Sequence, residues 1–366
     1  MRHVVIIGCG VVGAAIAYEL SFVPGLKVTV LDKQQPAQAA SGAALGILMG
    51  VISHKIKGRA WRMRQASIQR YETLIPELEV LTGRQIPFNR QGILMLLPKQ
   101  EPGNTEDLAN WEKLVEIRQS QGWQLKIWDV IQVKSSCPQL DCERINAAVY
   151  SPQDRQVEPV ALTLAMVDAA RRNGVTFHFG VTVEGYHLST TSTKTVVVLD
   201  ASPLLQNVDW LVVAAGLGSS LINSLPYPLI RPVLGQALHL RLGSLLGHRD
   251  FQPVITGDDV HIVPLGGGDY WVGATVEFPT TGDGVVAAPE KLEAVRQQAI
   301  AFCPALAEAT VVKTWSGLRP RPEGSPAPVL GYAPGFSNVL LATGHYRNGV
   351  LLAPATAQAI REIISS

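Results

Sequence analysis

Three glycines, an aspartate and a pair of late arginines are the residues of this chain whose types and spacing suggest chemistry. Gly8, Gly10 and Gly13 stand in the pattern G-x-G-x-x-G, with Val11 and Val12 between the second and third. In that pattern the first glycine permits a tight turn and the second lets the backbone approach a pyrophosphate. The third lets a helix pack closely on a strand, with the diphosphate at the helix N-terminus. Asp32 follows at the distance where a carboxylate accepts hydrogen bonds from a ribose. Far along the chain, Arg319 and Arg321 lie in the segment Trp315 to Pro322, their backbone fixed by Pro320 and Pro322. His345, Arg347 and Asn348 occupy a glycine-rich turn between an apolar run and a helical stretch, which makes a second helix N-terminus suited to a phosphate or a ring. An arginine held between rigid turns presents a planar fork that matches a carboxylate, although surface ion pairing accounts for both arginines equally well.

The elements that must position these residues follow from the apolar pattern. His3 to Ile7 reads as a strand buried on both faces, Ala14 to Leu20 as a helix, and Lys27 to Leu31 as a second strand that ends at Asp32. A glycine turn alone is often mere packing, but strand, glycines, helix, strand and acid in this order point to dinucleotide binding. Met1, Arg2 and His3 followed by apolar residues and Ala15 to Ala17 imitate a secretory signal, which needs neither the three spaced glycines nor an immediate strand and acid. Ala40, Ser41, Leu45, Gly46 and Ile47 belong to a segment of small residues too apolar for a surface loop, as though its backbone lay against a cofactor or a tightly packed helix.

Helices are expected over Lys57 to Leu81, Thr105 to Gln121 with Thr105 as its cap, Glu158 to Asn173, Pro289 to Phe302 and Ala353 to Ile364. Strands are expected at Gly92 to Leu97, Ile145 to Tyr150, Val175 to Phe179, Thr195 to Leu199, Val311 to Thr314 and Asn338 to Ala342, with Leu188 to Thr193 as a turn. The run from Val208 to Gly218, which includes Ala215 and Gly216, reads as a buried strand ending in small residues. It suggests that the dinucleotide-binding sheet is re-entered late, after an insertion. The strands at Val233 to Leu242, His261 to Pro264 and Tyr270 to Val276 should be antiparallel, because their connections are too short for crossover helices.

The chain has 366 residues, enough for two domains or one large one with an insertion. With 31 basic and 30 acidic residues its net charge is +1, so no global field attracts nucleic acid or an anionic membrane surface. No apolar run is long enough for a transmembrane helix. The four cysteines match no common zinc spacing, which points to free thiols in a cytoplasmic protein and to no metal site.

Taken together, the fingerprint at Gly8, Gly10 and Gly13, the segment Ala40 to Leu48, the run Gly317 to Pro320 and the run Gly344 to Thr356 resemble the flavin-dependent D-amino acid oxidase family. Within it they are most similar to the bacterial glycine oxidase branch of thiamin biosynthesis. The resemblance spans both ends of the chain and most of the order between them. It implies an α/β fold, α+β overall, with a Rossmann-type FAD-binding domain from residues 1–85, 146–225 and 310–366. A substrate-binding domain of mixed, largely antiparallel sheet plus helices would be inserted as residues 86–145 and 226–309.

The resemblance further implies noncovalent FAD rather than NAD. The cysteine that tethers flavin in covalent members has no counterpart near these motifs, since Cys303 lies at a helix end before Pro304. Val11 and Val12 would meet the pyrophosphate, and Asp32 and Lys33 the adenosine ribose. Ala40, Ser41, Leu45, Gly46 and Ile47 would lie along the cofactor, Val183 would contact adenine through its backbone, and Ala215 and Gly216 would also bind the cofactor. Gly344 and the run His345, Tyr346, Arg347, Asn348, Gly349, Val350 and Leu351 would wrap the isoalloxazine edge. Arg319 would pair bidentately with the substrate carboxylate, and Arg347 would help to hold that end.

One departure stands out. His261 replaces the tyrosine, and Leu265 the arginine, of the glycine oxidase pocket strand. His261 could donate to the carboxylate in tyrosine's place or be a satisfied strand histidine. The expected activity is oxidation of glycine, another small amine or a D-amino acid, with O2 as acceptor and H2O2 as product. A dehydrogenase using a quinone or protein acceptor, a nicotinamide-dependent enzyme and a non-catalytic flavin-binding protein are the alternatives. Formation of a homo-oligomer is left open.

Overall fold

The computed structural model describes residues 1–99, 106–183, 186–191, 194–199, 208–221, 228–279 and 284–366. A six-stranded sheet carries the fingerprint, in the order Val329–Tyr332, Val339–Thr343, Trp210–Val213, Arg2–Ile7, Leu26–Asp32 and Thr176–Phe179. Its strands are parallel except for Val329–Tyr332, which pairs antiparallel with Val339–Thr343. Along Arg2–Ile7, Val4 and Ile6 belong to one apolar cluster and Val5 and Ile7 to another, as a strand buried on both faces requires. Trp210–Val213 lies directly beside Arg2–Ile7, so the chain does re-enter this sheet after the long intervening segment. The helix Val11–Leu20 packs between Gly349–Ser365 and Pro159–Arg172, and its small residues Ala14, Ala15 and Ala17 are buried. Small side chains there allow the helices to approach closely.

An eight-stranded sheet forms the second layer, in the order Thr310–Pro322, Ile230–Arg241, Asp269–Gly273, Val260–Gly266, Val254–Gly257, Ile93–Pro98, Ile145–Ser151 and Lys126–Trp128. Its neighbours are antiparallel except for Val254–Gly257 on Ile93–Pro98. Both Ile145–Ser151 and Thr310–Pro322 are hydrogen-bonded into this sheet.

Several elements depart from the local pattern for identifiable reasons. The strand expected to stop at Thr314 continues to Pro322, pairing Val233 with Arg319 and Pro232 with Pro320. It is an edge strand, so the missing N–H of a proline there need not break a ladder. The closing helix begins at Gly349 and carries Pro354 in its second turn; the Val350 carbonyl, which that N–H would have met, accepts from the Tyr71 hydroxyl instead. Tyr186–Thr191, read mostly as a turn, is a strand paired with Lys194–Leu199; residues 192–193 and the proposed cap Thr105 lie outside the described residues.

Buried charge fixes the loop after the small-residue segment. The Asp154 carboxylate accepts from the N–H groups of Gly50, Val51 and Ile52 at 2.7, 2.8 and 2.8 Å and from Ser151 Oγ at 2.7 Å. From the other side, Arg118 donates to the carbonyls of Val51, Ser53 and Lys55. No helix among the described residues is long and apolar enough to cross a membrane.

Candidate functional site

A cavity of about 920 Å3 runs along the C-terminal edge of the fingerprint strand and continues to the second sheet. That is near the upper end of ordinary ligand sites, which span roughly 300–1,000 Å3, and leaves room for a dinucleotide with a small molecule beside it.

At one end the backbone makes the wall. Gly8 has φ +102°, and a Cβ there would stand 2.5 Å from the Ala214 carbonyl oxygen. A Cβ on Gly13 would stand 1.9 Å from the Gly8 carbonyl oxygen, so the third glycine is what lets helix and turn touch. Gly10 is the N-cap of the helix Val11–Leu20 and brings no side chain to its first turn. Val11 N donates to Ser41 Oγ at 2.9 Å, which ties the small-residue segment to the fingerprint. Asp32 accepts from Cys9 N at 2.6 Å and Gln34 N at 2.8 Å, so its carboxylate is oriented by backbone before any ligand arrives. A glycine cradle that a Cβ would fill, an uncapped helix start and a fixed carboxylate together fit the diphosphate and ribose of FAD.

Of the expected cofactor residues, Gly8, Gly10, Val11, Val12, Asp32, Lys33, Ala40, Ser41, Leu45, Gly46, Ile47, Ala215 and Gly216 line the cavity. Gly344, His345, Tyr346, Arg347, Asn348, Gly349 and Val350 line it as well. Gly13, Val183 and Leu351 do not. Gly13 serves packing, Leu351 is buried among the helices, and Val183 packs on the cluster containing Val5 and Leu31. None of the four cysteines is among the lining residues.

At the other end, side chains from separate segments make the wall. Arg319 is largely buried, and its Nη1 donates to the carbonyls of Leu234 at 3.1 Å and Thr275 at 3.0 Å. Its guanidinium passes over Gly235, where a Cβ would lie 2.3 Å from Nη2. Burial, and after it the charge of Arg347, lowers its pKa, and Asp259 and Glu277 act the other way. Among the described residues no carboxylate lies within ion-pair distance of Arg319. Behind it, the buried Glu277 accepts from Thr275 Oγ1 at 2.6 Å and Gln236 Nε2 at 2.8 Å. Burial alone would raise the pKa of Glu277, but these bonds and that from Ala288 N hold it below the ordinary value.

His261 faces the same space. Its Nδ1 is buried with no partner among the described residues, and burial followed by the charge of Arg347 pushes its pKa down to about 4. The imidazole is therefore neutral at pH 7. Leu265, where the family pattern has an arginine, is exposed and lies outside the cavity lining. Arg347 meets Asp259 with Nη1 to Oδ1 and Nη2 to Oδ2 each at 3.4 Å. Asp259 sits with Asp258 in the two-residue turn between Val254–Gly257 and Val260–Gly266. Arg321, two residues beyond Arg319, is exposed and lies over the ring of Phe278.

Sequence reasoning missed Gly235, Asp259 and Glu277. A glycine inside the strand Ile230–Arg241 was the available signal for the first, since such a glycine often marks a close approach. The four non-glycine residues with positive φ among the described residues, Ala37, Asp258, Asp259 and Tyr346, all line this cavity.

The sequence pattern of the DAO family, described as FAD dependent oxidoreductase, matches residues 3–363. The bifunctional protein ThiO/ThiG of Synechocystis sp. is 34% identical over 366 residues, which cover 99% of this chain and 51% of that protein. The chain thus spans about half the length of such curated relatives. Glycine oxidase of Geobacillus kaustophilus is 28% identical over 370 residues, covering 99% of this chain and 92% of its own. Among solved structures, glycine oxidase from Bacillus cereus superposes with a TM-score of 0.85 at 27% identity, covering 100% of this chain and 95% of that one.

Proposed function

Because the chain belongs to the DAO family of FAD dependent oxidoreductases, and FAD is its cofactor, we propose that it oxidatively deaminates glycine, another small amine or a small D-amino acid. The observation that carries this reading is the guanidinium of Arg319, held by two backbone carbonyls with no carboxylate partner among the described residues, at the opposite end of the cavity from the nucleotide cradle. Relatives named glycine oxidase make glycine the first substrate to try.

The chemistry the flavin supplies when bound is acceptance of a hydride from Cα–H at N5, with O2 as final acceptor giving H2O2. The protein's own part is placement. Arg319 binds the carboxylate through a charge-assisted fork and so fixes Cα relative to the segments that line the ring end. His261, neutral at working pH, offers one donor and one acceptor to the same carboxylate or to the amine without adding charge. Ala43, Ala44 and Leu45 and the run Gly344 to Val350 line the same cavity, and a ligand seated among them would displace water. No strong base is needed, since the amine lone pair forms the imine as Cα–H leaves. Hydrolysis of the imine then yields the oxo acid and ammonium. Delivery of this product to thiamin biosynthesis is part of the proposal, supported by the ThiO/ThiG name of relatives.

Anaerobic mixing of the purified flavoprotein with glycine, sarcosine and D-alanine should bleach the flavin absorbance. If none of them does, the reading fails. Peroxide in aerated buffer then identifies O2 as acceptor, whereas bleaching without peroxide would favour a quinone or protein acceptor.

A further inference from the structure

We propose that Asp259 is a specificity-determining residue. By holding Arg347 it leaves Arg319 as the single guanidinium available to a substrate carboxylate, so the site prefers amines with one carboxylate over dicarboxylic ones. The inference rests on the amine-oxidation reading above.

The two-residue turn explains the backbone but not the charge. Asp258 and Asp259 have φ of +48° and +63°. Two consecutive positive φ angles define a type I′ hairpin turn, which asparagine and glycine adopt as readily as aspartate. The turn therefore has no need of two carboxylates, yet both line the cavity, and Asp259 meets the guanidinium of Arg347 at two points of 3.4 Å. Arg347 comes from a separate segment, the turn Tyr346–Asn348, so the pair joins two parts of the cavity lining. The side chains are 38% and 71% exposed, which makes the pair weak as a source of stability and leaves its charge pattern as the consequence that matters.

The charges on the residues that line this end then balance, with Glu277 lying behind them beside Lys291. Arg319 and Arg347 are positive, Asp258 and Asp259 negative, and His261 is neutral. A zwitterion with one carboxylate adds no net charge and places its anion on Arg319. A second carboxylate would have to compete with Asp259 for Arg347 while standing beside Asp258, an arrangement that rejects by repulsion as well as by want of a partner.

The test compares Asp259→Asn, which preserves the turn, with the wild-type holoenzyme. The kcat/KM of iminodiacetate and D-aspartate is measured relative to that of glycine and sarcosine. The dicarboxylate-to-monocarboxylate ratio should rise about tenfold or more in the variant, and adding Arg347→Met should return it towards the wild-type value. Bleaching by glycine with an unchanged ratio overturns this inference alone; failure of every amine to bleach the flavin overturns the amine-oxidation reading and this inference with it. A binding measurement free of turnover and of folding effects uses the wild-type holoenzyme, titrating acetate and malonate against the flavin spectrum. Acetate should bind tighter, and equal or tighter binding of malonate sinks the proposal.

Discussion

The two ends of the cavity are made of different materials. The nucleotide end is backbone, with Gly8, Gly10 and Gly13 shaping a turn, N–H groups at a helix start, and an aspartate held by Cys9 N and Gln34 N, all within the first 47 residues. The substrate end is side chains: Arg319, Arg347, His261 and Asp259 arrive from three separate segments and meet only because distant strands pair. A backbone-built site tolerates little change at its glycines, whereas a side-chain-built site can be retuned one group at a time. Mutations at the two ends should therefore fail in different ways.

The largest effect is expected at Gly13→Ala, whose Cβ would meet a backbone oxygen at 1.9 Å with no flexible atom to yield. Overpacking of that kind costs about 3 kcal/mol or more, and the variant should lose bound flavin as well as melting temperature. A flavin-to-protein absorbance ratio equal to wild type would break the contrast between the ends. Arg319→Ala comes next. It should keep its flavin while kcat/KM for glycine drops on the order of 100-fold, as expected for loss of a charge-assisted contact. Loss of the flavin there would mean that the two ends are one cooperative unit.

A third expectation concerns pH. His345 is buried with Nε2 at 2.9 Å from Thr356 Oγ1, and burial, then the charge of Arg59, pushes its pKa from 6.5 down to about 4. The unfolded chain takes up a proton near pH 6.5 that the folded chain refuses until near pH 4. The stability gained by burying neutral imidazole is thus complete above pH 6.5 and is lost as pH falls through this window. Between pH 7.5 and 5, wild type should lose about 2 kcal/mol more than His345→Gln in denaturant titrations. Identical slopes would contradict the assignment. The smallest effect is expected at Gly235→Ala, where the added Cβ displaces the Arg319 guanidinium rather than removing it. A rise of about tenfold in KM for glycine with kcat nearly kept would separate positioning from chemistry.

The same contrast governs what could be read in the sequence. The fingerprint is local, so the turn, the helix start and Asp32 follow from spacing, and the re-entry at Trp210–Val213 follows from an apolar run ending in small residues. Arg319 was visible because Pro320 follows it and, with Pro322, fixes the local backbone. Its mode of holding was not, because Leu234 and Thr275 lie on other segments and nothing in the run from Gly317 to Pro320 refers to them. Asp259 carries no local signal, and only the register of Val254–Gly257 with Val260–Gly266 sets it before Arg347. Asp154 was equally silent, since its three backbone donors lie about a hundred residues earlier.

The left-handed residues Ala37, Asp258, Asp259 and Tyr346 carry a consequence for anyone wishing to harden this protein. Each holds a conformation that costs an L-residue about 1 kcal/mol, and glycine would relieve it. Among the described residues those gains would come at the walls of the cavity, and each would loosen a surface that must stay rigid around its ligands. Thermal robustness and turnover should therefore trade against each other at these four positions, and stabilising substitutions are better sought on the far faces of the helices.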